Sequence, residues 1–182
     1  MDIARLTQAL RDGAWQDADR LLAAVTATAR AHPSMLYNHG KVLMELGRMD
    51  DAAGMLRRTV QALPGHAAAW FELGRATLAR EDFETAFEAF SRALELEPGD
   101  SDARRNLGRV ALRLGRYSQA RAAWGGLRGD DEAALALYRI AAETGDPSAA
   151  RLRHDLLAHH PDRAQVIRTL VRVAKGAIPL DL

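Results

Sequence analysis

Lys41, Arg75 and Arg109 stand 34 residues apart, and Arg139 follows after a further 30. Four cations at a nearly constant step make a ladder that attracts anions. A guanidinium offers a planar fork of donors that fits a carboxylate through two hydrogen bonds. This is binding chemistry, and the chain offers little for bond breaking. The histidines His32, His39, His66, His154, His159 and His160 form no HExxH motif, and His159 and His160 precede Pro161 in an expected turn. Surface and turn positions are expected for them, rather than metal ligation. No serine has a G-x-S-x-G context. No G-x-x-x-x-G-K-[ST] or G-x-G-x-x-G loop is present to cradle a phosphate. The chain has no cysteine, which excludes disulfides, thiolate catalysis and cysteine–zinc sites. The expectation is a non-enzymatic protein without catalytic residues, metal or cofactor.

The elements that must carry the ladder are paired helices. Ala18, Ala52, Ala86 and Ala120 keep the same 34-residue step. Three residues before each stands a large apolar residue (Trp15, Met49, Phe83, Tyr117), and four after each stands another (Leu22, Leu56, Phe90, Trp124). Gly40, Gly74 and Gly108 share the step, as do Gly13, Gly47 and Gly115. Such a period marks a helix–turn–helix array. Apolar spacing predicts helices over 2–12 and 15–30, 34–46 and 50–62, 67–79 and 83–96, and 101–114 and 117–127. Pro33, Pro64 and Pro98 close the pairs, because proline cannot continue a helix. Gly and Ala lack bulk, so helices approach closely where they cross. The large residues beside each Ala are expected to fill the space between neighbouring pairs, with Trp15, Trp70 and Trp124 in the core.

After Trp124 the period breaks. Gly125, Gly126 and Gly129 end or kink the eighth helix. A shortened fifth pair is predicted near 131–144 and 147–159. Its turn, Gly145-Asp146-Pro147, offers an N-cap followed by proline at the first helical position. An amphipathic helix follows near 162–175, apolar through Val166, Ile167, Leu170, Val171 and Val173. Asp162 with Gln165 resembles a capping box. This helix is expected to cover the hydrophobic end of the array. The chain divides into 1–127, 128–161 and 162–182 within one continuous array.

Trp70-Phe71-Glu72-Leu73-Gly74, then Ala86-x3-Phe90, Ala93 and Pro98, resemble a tetratricopeptide repeat, whose pattern runs W-x2-L-G-x2-Y, then A-x3-F, then P. Thr77 stands where the pattern has tyrosine. Leu36 and Arg104 replace the tryptophan in the second and fourth pairs. The resemblance spans about residues 1–127. It implies an all-α, right-handed αα-superhelix: a solenoid of about five helix pairs plus a C-terminal capping helix. It also implies that the first helix of each pair lines a concave groove. The residue after each repeat glycine would point into it: Lys41, Arg75 and Arg109, with Arg139 in the shortened pair. Tyr37, Asn38, Phe71, Arg105, Asn106 and Arg113 occupy other groove-facing positions. Arginine and aromatic residues are frequent hot spots, and asparagine can hydrogen-bond an extended backbone. Tyr37 and Phe71 have a second reading as packing between helices. Glu72 and Glu45 are spaced to neutralise part of the ladder.

One ligand class within the family is testable. The clamp for the C-terminal carboxylate of heat-shock chaperones needs, in its first repeat, Lys three residues before the glycine position and Asn just after it. It needs Asn two before in its second repeat, then Lys six and Arg two before in its third. The first three pairs offer Ile3 and Thr7, then Asn38, then Ala68 and Glu72. Only Asn38 fits, and starting one or two repeats later does no better. That clamp is therefore excluded, while a more general acidic ligand stays.

The formal net charge is +1, divided as −4 over residues 1–100 and +5 over 101–182. A near-neutral chain argues against nucleic acid. No apolar run approaches the roughly 20 residues of a membrane span, and the start lacks a signal-peptide pattern. A cytoplasmic protein is expected. Arginine outnumbers lysine 23 to 2, in keeping with a GC-rich bacterial genome. The leading expectation is a scaffold that binds another protein, through an acidic segment or a C-terminal carboxylate. The alternative is a homo-oligomer assembled through the C-terminal helix and its tail, Ile178 to Leu182.

Overall fold

The structure, a computed structural model, describes residues 2–174. Those residues form eleven helices and no strand: α1 (Ile3–Arg11), α2 (Trp15–Thr26), α3 (Pro33–Glu45), α4 (Met49–Ala62), α5 (Ala67–Ala79), α6 (Phe83–Leu96), α7 (Ser101–Arg113), α8 (Tyr117–Gly125), α9 (Asp131–Glu143), α10 (Ala149–His159) and α11 (Arg163–Val173). The tail expected from Ile178 to Leu182, and Lys175 at the end of the helix expected near 162–175, lie outside the described residues. The chain divides into two compact units at Ala103 and Arg104.

In the first unit α1 packs on α2, α3 on α4 and α5 on α6, and α2 also meets α3 as α4 meets α5. Ala18, Ala52 and Ala86 are completely buried, as are Leu22, Leu56 and Phe90. Leu22 and Leu56 share core clusters with Val42 and with Leu73 of the next pair, as the sequence suggested. The large residue of the second and third pairs also packs within its own pair, onto the repeat glycine. A Cβ on Gly40 would lie 2.7 Å from Leu56 Cγ, and one on Gly74 would lie 2.7 Å from the Phe90 ring. Thr77, buried where the repeat pattern has tyrosine, satisfies its hydroxyl by donating to the Leu73 carbonyl at 2.8 Å. Trp15 and Trp70 are only half-buried at the edges of this core, and Trp70 Nε1 donates to the Pro64 carbonyl at 2.9 Å.

The predicted bounds of α5 and α6 coincide with those observed, whereas α2 stops four residues early. Arg58 of α4 donates from Nη1 to the Thr26 carbonyl (2.8 Å) and from Nη2 to the Thr28 carbonyl (2.5 Å). These bonds satisfy acceptors that a longer helix would have occupied. The turns between paired helices use a left-handed residue at one register position: Gly13, Gly47 and Gly115, with Gly145 in the fifth pair. Glu81 holds that position in the third pair, with φ 57°. A side chain there crowds its own backbone.

In the second unit α9 is central, packing against α8, α10 and α11. Ala120 and Trp124 repeat the arrangement of the first unit. A Cβ on Gly108 would lie 2.5 Å from Trp124 Cε2, and the buried Trp124 Nε1 has no hydrogen-bond partner. Helix α8 ends at Gly125, and Gly129 turns the chain at φ 76°. Helix α10 begins two residues later than expected. Asp146 accepts from the Ser148 N–H at 2.9 Å and so holds Pro147 and Ser148 in a turn. Asp162 caps α11 by accepting from Gln165 N–H at 2.9 Å. Helix α11 buries Val166 and packs Leu170 and Val173 on Leu135, Tyr138 and Leu156. Ile167 and Val171, expected on the same face, are instead 54% and 41% exposed. Positions 166, 170 and 173 make one stripe, and 167 and 171 fall beside it.

Mid-helix Gly→Ala usually stabilises by about 1 kcal/mol. Here Gly74→Ala is expected to destabilise by about 1–3 kcal/mol, because the fully buried Phe90 ring has nowhere to go. Urea unfolding of Gly74→Ala, with and without Phe90→Leu, checks this: the second substitution should recover part of the loss. Glu81→Gly should raise stability by about 1 kcal/mol through relief of the left-handed strain. An unchanged or lowered urea midpoint would contradict that assignment.

Candidate functional site

The helices that carry the ladder are positioned by side-chain caps in one register. His32 Nδ1 accepts from Ser34 N–H at 3.3 Å, and His66 Nδ1 accepts from Ala69 N–H at 3.2 Å. Asp100 accepts from the N–H groups of Asp102 and Ala103, both at 2.9 Å, and Asp130 accepts from Ala133 N–H at 2.8 Å. These caps open α3, α5, α7 and α9, and each satisfies a donor that the helix leaves orphaned. His39 departs from its expected surface or turn position. It is buried in α3, with Nε2 2.8 Å from Asp19 Oδ1 and Nδ1 2.7 Å from Thr26 Oγ1. That bond network ties α3 to α2. His160 Nδ1 accepts from Asp162 N–H at 3.0 Å in the turn before α11.

In the first unit, Lys41 of α3 and Arg75 of α5 converge on one carboxylate. Glu72 is 6% exposed and lies 3.4 Å from Lys41 Nζ and 2.8 Å from Arg75 Nη1. A buried carboxylate is held charged only when it is paired. Here the two cations serve Glu72 at least as much as they face solvent. Tyr37 is half-buried, its ring 4.9 Å from His66 and 6.0 Å from Lys41 Nζ. Burial raises its hydroxyl pKa above the ordinary value. Phe71 meets Phe90 edge-on at 5.8 Å. Both rings take part in packing and both keep a partly open face. Asn38, the next residue of α3 after Tyr37, is half-buried.

In the second unit, Arg105 donates to Asp130 Oδ2 from Nη2 at 2.8 Å. Arg109 grips Glu132 with two parallel bonds, Nε to Oε1 at 2.6 Å and Nη2 to Oε2 at 2.5 Å, and reaches Asn106 Oδ1 from Nη1 at 3.3 Å. The hydrogen bond to Glu132 keeps the Arg109 guanidinium above its ordinary pKa. Arg139 donates from Nε to Glu143 Oε1 at 2.7 Å. Glu143 also hydrogen-bonds Tyr117, which raises the Tyr117 hydroxyl pKa. Burial works to raise the Asp130 carboxyl pKa, but hydrogen bonds from Arg105 and the Ala133 N–H outweigh it and hold it below its ordinary value.

Of these side chains, Arg109, Glu132 and Arg139 line a cleft of about 680 Å³ between α7, α9 and α11. Arg109, Arg113, Arg139 and Arg172 stand around it with Glu132. Leu112, Leu135, Ala136 and Trp124 form its apolar lining, and Gln165 and Thr169 add polar groups from α11. Four guanidiniums and the Glu132 carboxylate line the cleft, with Arg139 also held by Glu143. The structure thus brings Arg109, Arg113 and Arg139 to one cavity, whereas Lys41 and Arg75 share Glu72 in the other unit. The α11 contribution was missed in the sequence because α11 lies beyond the repeat register. Its signal was the spacing of Gln165, Thr169 and Arg172 on one helical stripe. Among the described residues no group of His, Asp and Glu has the arrangement to hold a metal ion. No helix among them is long and apolar enough to cross a membrane.

The chain matches the tetratricopeptide repeat over residues 3–67 and 37–101, and again over 77–128. It is 31% identical over 102 residues to the superkiller complex protein 3 of Mus musculus, a match that covers 55% of this chain and 6% of that protein. The chain therefore spans a small part of that relative's length. Among solved structures, MamA aligns with a TM-score of 0.72 at 22% identity, over 96% of this chain and 98% of that one. The first TPR of Spaghetti (RPAP3), bound to the HSP90 peptide SRMEEVD, aligns with a TM-score of 0.57 at 20% identity, over 62% of this chain and 89% of that one.

Asp130 both caps α9 and restrains Arg105, so Asp130→Ala should cost about 1–2 kcal/mol in urea unfolding at pH 7, and Asp130→Asn less. Its carboxyl pKa is lowered on folding. The stability it gives is therefore present above the unfolded pKa and is lost as pH falls through the folded one. Asp130→Asn should flatten the acid limb of the stability profile below the ordinary aspartate range. An unchanged limb would contradict the assignment.

Proposed function

Because the chain belongs to the tetratricopeptide-repeat family, we propose that it is a non-enzymatic interaction module that binds an acidic segment of a partner protein. The observation that carries this reading is the cleft in the second unit, where Arg109, Arg113, Arg139, Arg172 and Glu132 stand around an apolar floor. Charged side chains on a partner would meet the guanidiniums, while an apolar residue between them would cover Leu112, Leu135 and Ala136. An acidic peptide in the RPAP3 structure supports the choice of ligand class. Its mode of capture is not transferred, because this chain retains only Asn38 of the chaperone-carboxylate clamp. Lys41, Arg75, Tyr37, Asn38 and Phe71 form a second patch, in which Glu72 already answers the cations. We place that patch second in importance for charge recognition.

Exposed ion pairs contribute about 0–1 kcal/mol each. A few of them with one apolar anchor give micromolar binding, about −8 kcal/mol. The self-assembly alternative rests on α11 and on the tail from Ile178 to Leu182. Of these, α11 exposes Ile167 and Val171, two side chains that by themselves cover far less than the roughly 800 Å² per partner of a stable interface, and the partner-binding reading is preferred. Cytoplasmic placement accompanies it as part of the proposal.

The test is selection of a random 12-residue peptide library on the full-length chain, repeated with Arg109→Glu/Arg139→Glu and with Lys41→Glu/Arg75→Glu. The wild type should enrich peptides with several Asp or Glu residues. The second-unit reversal should reduce their retention at least tenfold, and the first-unit reversal less. Selection of acidic peptides that is indifferent to the Arg109/Arg139 reversal would remove the cleft from the binding site.

A further inference from the structure

We propose that the cleft between α7, α9 and α11 selects a phosphorylated segment of a partner protein over one that carries only carboxylates, with Glu132 as the internal competitor that sets the preference. This rests on the acidic-segment reading above and specifies its chemistry. Arg109 is held by Glu132 in a two-bond fork, and Arg139 is held by Glu143. A partner's carboxylate offers Arg109 the same single charge and the same fork that Glu132 already supplies. It must displace that group or sit beside a like charge, and it gains little to offset the cost of association.

A phosphate monoester differs in both charge and shape. It carries a charge of about −1.5 to −2 and three strong acceptor oxygens. It can accept from the N–H groups of Arg109 and Arg139 that their carboxylates leave over, and from a further guanidinium at once. Arg172 supplies that guanidinium from α11. It lines the cleft and forms no ion pair among the described residues. Gln165, on the same stripe of α11, places an amide at the cleft beside it, while the Thr169 hydroxyl donates to the Gln165 carbonyl at 2.9 Å. The apolar floor of Leu112, Leu135 and Ala136 favours a peptide over the free ion, because it can hold the residues that flank the phosphate.

Two peptide libraries test this on the full-length chain: random 12-residue sequences centred on phosphoserine, and the same sequences centred on glutamate. Retention of the phosphoserine library should exceed that of the glutamate library at least tenfold. Arg172→Ala should lower phosphoserine retention severalfold more than it lowers glutamate retention, and so narrow the ratio between the two libraries. Glu132→Gln should raise glutamate retention and so narrow the ratio, with circular dichroism confirming that both variants are folded. Equal retention of the two libraries by the wild type overturns the proposal while leaving the acidic-segment reading in place. Retention of neither overturns both. Release of the bound phosphopeptides by 1 mM inorganic phosphate would show a site for the free ion and would overturn the peptide assignment.

Discussion

The contact on which the repeat structure depends is the one between a glycine in the first helix of a pair and a large side chain in the second. Gly40 lies under Leu56, Gly74 under Phe90, and Gly108 under Trp124. The distance between two packed helices is set by the side chains at their crossing. With hydrogen in place of a side chain on one helix, the other can bury a whole leucine, phenylalanine or indole at the crossing. The partner grows along the chain while the glycine stays constant. At Trp124 the fit leaves the indole N–H buried without a partner, a cost accepted for volume. Where the glycine is absent the pair changes character. Leu6 takes its register position in the first pair, and in the fifth Tyr138 does so and packs on Leu156 and Val166 instead.

This explains which parts of the fold were legible in the sequence. A close crossing tolerates few residue types, so it leaves a strict mark: Gly40, Gly74 and Gly108, with Ala52, Ala86 and Ala120 in step. Helix bounds followed in α5 and α6, where a local signal ended the helix. The end of α2 failed because it is decided from a distance. Arg58 stands 32 residues from the Thr26 carbonyl it satisfies, and nothing near Thr26 announces it. The apolar face of α11 was read too broadly for a related reason. Its sequence allows a wide stripe, and only contact with Leu135, Tyr138 and Leu156 shows that Val166, Leu170 and Val173 are used.

The candidate site was legible in one half of its chemistry. The cations share the repeat register, so their positions can be counted from the glycines. Their carboxylate partners mostly cannot. Glu72 lies three residues from Arg75 on the same helix, and such a pair is visible as a local spacing. Glu132 lies 23 residues from Arg109, and Asp130 lies 25 from Arg105. Both sit where the 34-residue step has already broken. A ladder of cations read from sequence is therefore a ladder of ion pairs in the structure. What distinguishes its members is how completely each is answered.

That distinction separates the two units electrostatically. Glu72 is buried between two cations that reach it from different helices, and a buried carboxylate stripped of its partners would be costly. Lys41 and Arg75 are thus bound to a structural task, and an incoming anion would compete with the stability of the α3–α5 packing. Glu132 and Glu143 are more exposed, and the groups they hold stand beside a cavity with its own apolar lining. Rearranging such pairs costs little, because water can solvate a displaced carboxylate. The same residue types at the same register therefore differ in availability, and the difference comes from the burial of the acid rather than from the base. The irregular end of the chain, where the repeat no longer dictates each position, is where cations, apolar floor and an added helix come together in one place.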